Sequence, residues 1–222
     1  MTLSLMRLLQ LSSPTLPVGA YCYSQAMEWA MDSGTLSTES DILAWVADCL
    51  EFGSARFEAV YLAAMIECWR MKDMGRLADL DGEFRASRET SELLAETLQM
   101  GHSMARLLGD IGELPENFGK LFPSPSFPLA WSFAAAAWHI PAEEAVAGYL
   151  WSWTENQVMA AVKGMPLGQT AGQRMLLLLG TRLSHLAGEI LTIPVEEANN
   201  FLAALSIASC LHETQYTRLF KS

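Results

Sequence analysis

The chain has 222 residues, of which 51% are hydrophobic, and this composition supports a contiguous core and excludes an intrinsically disordered protein. Lys and Arg number 14 and Asp and Glu number 25, and the resulting net charge of −11 argues against binding to a nucleic-acid backbone and favours a partner with a basic surface. The four cysteines lie far apart, no secretory leader pattern opens the chain, and no run reaches the roughly 18 apolar residues of a membrane helix. We therefore expect a cytoplasmic protein without disulfides or membrane contact.

Apolar residues recur at helical spacing throughout the chain, and no alternating run predicts a strand pair. The spacing predicts helices, in chain order, over residues 2–12, 24–33, 39–52, 54–73, 76–108, 126–138, 141–162, from 170 to at least 186, and 195–211. The sequence thus predicts an all-α fold of roughly eight to ten helices.

Several of these helices have recognisable start signals. Thr38 and Asp41 have the spacing of a capping box, in which each side chain accepts a hydrogen bond from a free backbone amide. Thr170 and Gln173 repeat that spacing before the next-to-last helix. Proline followed by two glutamates marks two further starts, at Pro141 and at Pro194.

The strongest break in the chain is the proline-rich segment 122–128. It has the composition of a domain linker, but it is short and flanked by apolar residues, which favours a rigid corner inside one helical bundle. We expect a single domain over residues 1–222.

The titratable residues show no catalytic or ligand-binding motif. No His stands three or four residues from another His or a Cys, and there is no Cys-x-x-Cys, so no metal site is predicted. Gly119-Lys120 is followed by Leu121 and therefore does not complete a phosphate-binding loop. The acidic pairs at 143–144 and 196–197 lie at predicted helix starts, where solvated carboxylates are ordinary. We predict no catalytic residue and no cofactor.

Three short stretches are unusually polar and remain unexplained by core packing. They are residues 16–25 with Glu28 and Trp29, residues 161–170, and the terminal residues 212–222. The last stretch, hereafter the C-terminal tail, combines one His, two aromatics and two cations in an acidic protein. This composition indicates a docking segment.

These stretches resemble the family of urease accessory proteins called UreF. The first stretch matches the opening pattern of the family at Leu16-Pro17, Gly19, Tyr21, Tyr23-Ser24 and Glu28-Trp29. The second stretch matches the middle pattern at Ala161-Val162-Lys163 and Pro166-Leu167-Gly168-Gln169. The tail matches the family's ending almost letter for letter from His212. The chain departs from the pattern at Ala26, Met27, Gly164 and Leu211. Of these, Gly164 matters physically, because glycine loosens the backbone just after Lys163 by about 1 kcal/mol relative to a good helix former.

The resemblance implies an all-helical adaptor rather than an enzyme. Such a protein would dimerise and bridge the accessory protein UreD, also called UreH, to the GTPase UreG, and so regulate GTP-dependent nickel insertion into the urease apoprotein. It would itself bind no nucleotide. The implied partner-binding residues are Pro17, Gly19, Tyr23, Ser24, Glu28, Trp29, Lys163, Pro166, Gly168, Gln169, His212, Glu213, Gln215, Tyr216, Arg218, Leu219 and Phe220.

Two hypotheses concern the motif residues themselves. Lys163 lies where its helix ends, so its cation interacts favourably with exposed carbonyls whether or not it also contacts a partner. In the C-terminal tail, Tyr216, Leu219 and Phe220 have helical spacing, which predicts a short helix that is loosely held until a UreD-like partner orders it.

The alternative from the residues alone is an all-helical small-molecule enzyme. Seven Trp and twelve Met residues are enough to line a pocket, although at helical spacing such residues usually form core. A helical adaptor for an unrelated assembly is a second alternative.

Overall fold

The structure, a computed structural model, describes residues 3–222, and within that range it contains helices and loops but no strand. The prediction of an all-α fold is confirmed. The α-helices are α1 Leu3–Leu11, α2 Met27–Asp32, α3 Glu39–Asp48, α4 Val60–Met71, α5 Met74–Ala86, α6 Ser91–Asp110, α7 Phe118–Leu121, α8 Phe127–Ala137, α9 Ala142–Gly164, α10 Gln169–Ile190 and α11 Ala203–His212.

The capping box at the start of α3 is present as predicted. The Asp41 N–H donates to Thr38 Oγ1 at 3.1 Å, and the Thr38 N–H donates to the Asp41 carboxylate at 2.9 Å. The helix does not end near residue 52, however. It continues as a π-helix over Cys49–Ala59 and then as α4. The helices expected over 39–52 and 54–73 therefore form one continuous helix whose central part is π-helical.

Three further expectations about helix starts are wrong. The helix expected over 76–108 is two helices, because Thr90 caps a new start by accepting the Leu93 N–H at 3.3 Å. Thr170 does not cap α10, which begins at Gln169 after an extended Gly168. Pro194 begins only the 3-10 turn Val195–Glu197, and α11 starts at Ala203.

The core is centred on α8, which packs against α4 and α6. Its Trp131 has no exposed surface. The segment 122–128 lies directly on α6 at Gly101, where an added Cβ would come within 2.1 Å of the Pro125 carbonyl oxygen. The segment is thus the predicted corner within one compact domain.

Helices α9 and α10 form a closely packed hairpin that continues the bundle. At Gly172 an added Cβ would lie 2.9 Å from the Val162 side chain, so a larger residue would separate the two helices. None of the helices in residues 3–222 is long and apolar enough to cross a membrane. All four cysteines are free.

Candidate docking site

The C-terminal tail folds back along the body of the protein and brings the three polar stretches together. It follows α11 without forming a further helix, and its main chain runs beside residues 22–28. The Lys221 N–H donates to the Cys22 carbonyl at 2.8 Å, and the Ser24 N–H donates to the main-chain oxygen of Ser222 at 2.8 Å. These bonds fix the direction of the tail.

Glu28 of α2 anchors the tail through its carboxylate. The N–H groups of Leu219 and Phe220 donate to its two oxygens at 2.5 and 3.0 Å. The Glu28 residue is only 7% exposed. A buried carboxylate that accepts two backbone N–H groups is strongly held in place, because either partner left alone would be an unsatisfied buried group.

His212, the last residue of α11, lies between two carboxylates. Its Nδ1 is 2.6 Å from an oxygen of Glu92 and its Nε2 is 3.4 Å from an oxygen of Glu28. The imidazole is fully buried. Contacts on both nitrogens fix the orientation of the ring and tie α11 to α2 and α6.

Glu96, one turn after Glu92 on α6, binds the last residue of the chain. Its carboxylate accepts the Ser222 hydroxyl at 2.6 Å and the Gln25 amide at 2.8 Å. Burial raises the pKa of Glu96 to about 7, although both hydrogen bonds act in the opposite direction. The Gln25 amide oxygen in turn accepts the Trp153 indole N–H at 3.0 Å, which links the tail to α9. Ser24, Glu28, Glu92, Glu96 and His212 together form what we call the anchoring cluster.

Lys163 contacts the tail through an aromatic ring. Its Nζ lies 4.7 Å from the ring centroid of Phe220, within the range of a cation–π interaction. Phe220 is 4% exposed, whereas Lys163 is exposed at the end of α9. The middle and last polar stretches therefore meet at this pair.

Two charged residues brace the bend of the tail. The Arg218 guanidinium donates to the Glu92 carboxylate and to the carbonyl oxygens of Glu213 and Gln215. The Glu213 carboxylate accepts the N–H and hydroxyl of Ser91, and these bonds lower its pKa. The bend is held in one conformation while its side chains stay near the surface.

The outer face of the tail is apolar and exposed. Tyr216 is fully exposed, Leu219 is 61% exposed, and Leu211 before the tail is 41% exposed. The helix predicted from the spacing of Tyr216, Leu219 and Phe220 is wrong, since the segment is bent and only Phe220 points into the core. The loosely held tail expected from the sequence is instead packed against the body in this structure.

The remaining motif residues have diverse positions. Tyr23 is buried, and its carbonyl accepts the Asn156 amide at 3.1 Å, while Trp29 is half-buried. Gly19 has a φ of 82°, a left-handed conformation that explains a glycine there. Pro17 is exposed, and so are Pro166, Gly168 and Gln169, which lie at the start of α10 and make none of the tail contacts described above. Gln215 donates to the Thr217 carbonyl at 3.0 Å, a bond that stabilises the bend.

Sequence reasoning missed the carboxylates that receive the tail. Glu92 and Glu96 stand four residues apart on α6, on the face that also carries the buried Leu93 and Met100. An acidic pair at that spacing within an apolar face was the available signal, because buried carboxylates require partners.

A buried polar network lies behind the anchoring cluster. Glu58 of the π-helix pairs with Arg88 at 2.8 Å and accepts the Tyr149 hydroxyl at 2.7 Å. Burial, chiefly, raises the pKa of Tyr149 well above its usual value. These side chains and Glu96 line a small cavity of about 40 Å³. Its lining is therefore more polar than the Trp- and Met-lined pocket of the enzyme hypothesis.

No group of three or more His, Cys, Asp or Glu side chains in residues 3–222 is arranged to hold a metal ion. His212 contacts one glutamate through each ring nitrogen. The fold and this site define the chain as an all-helical protein whose sequence motifs are assembled around a braced, partly exposed tail.

Comparison with known proteins identifies that class more closely. The UreF family profile matches residues 36–180. The urease accessory protein UreF of Azoarcus sp. (strain BH72) is 53% identical over 99% of this chain and 96% of its own length. The protein of the same name from Dechloromonas aromatica (strain RCB) is 49% identical over 99% of this chain and 98% of its own length. The chain belongs to the UreF family, and its relatives extend over the tail, which the profile match does not reach.

Proposed function

We propose that this protein is an adaptor in urease maturation that bridges a UreD/UreH-like accessory protein and a UreG-like GTPase. In this role it regulates GTP-dependent nickel insertion into the urease apoprotein, in the cytoplasm and as a homodimer. It binds no nucleotide and catalyses no chemical step itself. The motif residues named in the sequence analysis contribute to partner binding. Membership of a family of urease accessory proteins supports the proposal.

The observation that carries the proposal is that the tail has buried residues that hold it to the body and exposed apolar residues on its outer face. Buried hydrogen bonds from the Phe220 N–H to Glu28 and from the Ser222 hydroxyl to Glu96 hold the tail in place, while Tyr216 and Leu219 are left in solvent. Large apolar side chains on a rigid support suit recognition, because little conformational entropy is lost when a partner covers them.

A pair of substitutions tests the UreD-like contact. In the full-length chain, Tyr216→Ala combined with Leu219→Ala removes both exposed side chains and leaves the anchoring cluster intact. We expect native mass spectrometry with a UreD-like protein to show loss of the complex and circular dichroism to show an unchanged melting temperature. Phe201→Ala is the matched control, because Phe201 is 81% exposed outside the tail. Equal binding by the double variant and the control would contradict the proposal.

The GTPase part of the proposal has its own experiment. Isothermal calorimetry should detect no GTP binding to this chain alone, and turnover of GTP by a UreG-like protein should change when the chain and the UreD-like protein are added together. Stoichiometric GTP binding by the isolated chain would refute the adaptor role.

For the homodimer, we propose that the two copies meet through the outer face of α10. Leu177 and Leu178 are 75% and 57% exposed on adjacent positions of a long, well-packed helix. Light scattering at several concentrations, with Leu177→Glu as the disrupting variant, tests this part separately from the tail.

A further inference from the structure

The polar cavity behind the anchoring cluster lies between α6, α9 and the loop that precedes α2, and its volume is about 40 Å³. Its wall includes the half-buried Ser152 and Asn156 of α9, so solvent reaches it along that helix. Since one water needs roughly 10 to 15 Å³, the cavity has room for about three waters or for one molecule of about four non-hydrogen atoms. The function proposed above does not use this cavity.

The side-chain amide of Gln157 faces the cavity without a partner. Gln157 lines the cavity from α9 and is only 3% exposed. Its amide makes no hydrogen bond within residues 3–222, yet it is not among the polar atoms that are closed off from solvent. The surface that the amide keeps is therefore the surface it presents to the cavity. Buried amides are almost always paired, so the site fits an occupant that both donates and accepts hydrogen bonds.

The charged side chains of the wall already have partners. Glu58 and Arg88 pair at 2.8 Å, so their charges compensate each other. Glu96 accepts the Gln25 amide and the Ser222 hydroxyl. Burial raises the pKa of Glu96 to about 7, because this region solvates charge poorly. An ion that entered would lose its hydration without meeting a free opposite charge, so a neutral occupant is favoured.

The apolar part of the wall favours an organic amide over water. Leu93 and Met100 of α6 and Phe127 of α8 contribute this part. Water beside such side chains makes few hydrogen bonds. A primary carboxamide instead pairs its C=O and its N–H with the Gln157 amide in two hydrogen bonds, and its small apolar group covers the apolar wall.

We propose that the cavity binds a small primary carboxamide, whose amide pairs with that of Gln157 and whose apolar group lies against the α6 and α8 side of the wall. This chemistry is shared by a free molecule such as acetamide and by the Asn side chain of a partner protein.

Nuclear magnetic resonance of the full-length chain labelled with ¹⁵N tests the site. Two signals report on the cavity wall: the side-chain N–H pair of Gln157, which disappears in Gln157→Leu, and the indole N–H of Trp153, which disappears in Trp153→Phe. We expect acetamide to shift both signals in a saturable way, with a dissociation constant on the order of 1 mM for a ligand of this size. Acetone, which lacks an N–H, and acetate, which carries a charge, should bind several-fold more weakly.

Substitutions in the wall provide matched comparisons. Gln157→Leu keeps the approximate size of the side chain and should abolish the acetamide shift of the Trp153 signal, whereas Gln173→Leu makes the same change at an exposed position of α10 and should not. Ser152→Leu fills the cavity while Gln157 is kept, and it should also abolish the shift, so the test does not depend on the folding of one variant. Ser184→Leu on the exposed face of α10 is its control.

A blocked amino acid, N-acetylasparagine N-methylamide, separates the two sources of the amide. If it binds as tightly as acetamide, the site accepts the Asn side chain of a partner, and if acetamide binds alone, the site belongs to a free small molecule.

Three outcomes would overturn the inference: no shift of either signal with acetamide, equally tight binding of acetone or acetate, or acetamide binding that survives Gln157→Leu. The first result would leave the cavity to water. None of these measurements involves a partner protein or the tail variants, so the two proposals fail independently.

Discussion

The inner and outer sides of the C-terminal tail show opposite chemistry within eleven residues. On the inner side His212, Phe220 and Ser222 are buried and contact glutamates or Lys163. On the outer side Tyr216 and Leu219 are in solvent although both are large and apolar. One short segment thus contains buried residues that stabilise the fold and exposed residues that are available to a partner. Substitutions of the first kind are expected to lower stability, and substitutions of the second kind to weaken partner binding.

The largest effect is expected at Glu28. Glu28→Ala leaves the buried N–H of Phe220 and the partly buried N–H of Leu219 without an acceptor, and we expect a loss of about 3 kcal/mol in the free energy of unfolding. Urea denaturation measures it, with the exposed Glu144→Ala as control. If the free energy of unfolding falls no more than in the control, the inner contacts contribute nothing to stability and the distinction between the two sides is wrong.

Glu96 sharpens the comparison through pH. Its folded pKa of about 7 lies above the ordinary glutamate value of 4.5, so the folded state holds this proton more tightly than the unfolded state does. The contribution to stability is therefore fully present below about pH 4.5 and is lost as the pH rises towards 7, a change of roughly 3 kcal/mol. Glu96→Gln cannot ionise, so its stability relative to the parent protein should rise between pH 5 and pH 8.

Urea denaturation at the two pH values measures this difference. Glu144→Gln, on the exposed first turn of α9, is the control and should show no such trend. A relative stability of Glu96→Gln that stays constant with pH would contradict a buried, poorly solvated carboxylate beneath Ser222.

A smaller effect is expected at the Lys163–Phe220 pair. Lys163→Met keeps most of the aliphatic stem but removes the cation over the ring, and we expect a loss of about 0.5 kcal/mol. Thermal unfolding and partner binding are measured together. Lys163→Ala that leaves stability, partner binding and urease activation all unchanged would reduce Lys163 to an ordinary helix-terminal charge.

The smallest effect on stability is expected on the outer side. Tyr216→Ala should leave the melting temperature unchanged, because the side chain is fully exposed and buries no surface. Phe220→Ala, on the inner side, should lower the melting temperature clearly. Equal shifts in the two variants would mean that the tail is not divided as the structure describes.

Local sequence signals were reliable where neighbouring residues decide the structure. The capping box of Thr38 and Asp41 and the glutamates in the first turn of α9 both involve groups within a few residues of one another. The boundaries that failed depend on distant packing. Thr90, for example, also bonds to Ser209 at 2.7 Å, so the start of α6 is fixed partly by α11.

By itself the sequence determined the helical class, the absence of a phosphate-binding loop and the three stretches that mark the family. Only the tertiary structure decided that these stretches meet, that Glu92 and Glu96 receive the tail, and that Phe220 faces inward while Tyr216 faces solvent. The physical reason is range: helix caps and periodicity act over three or four residues, whereas the bonds from Glu28 to the tail join residues 191 and 192 positions apart. Such partners are chosen by packing, which spacing along the chain does not encode.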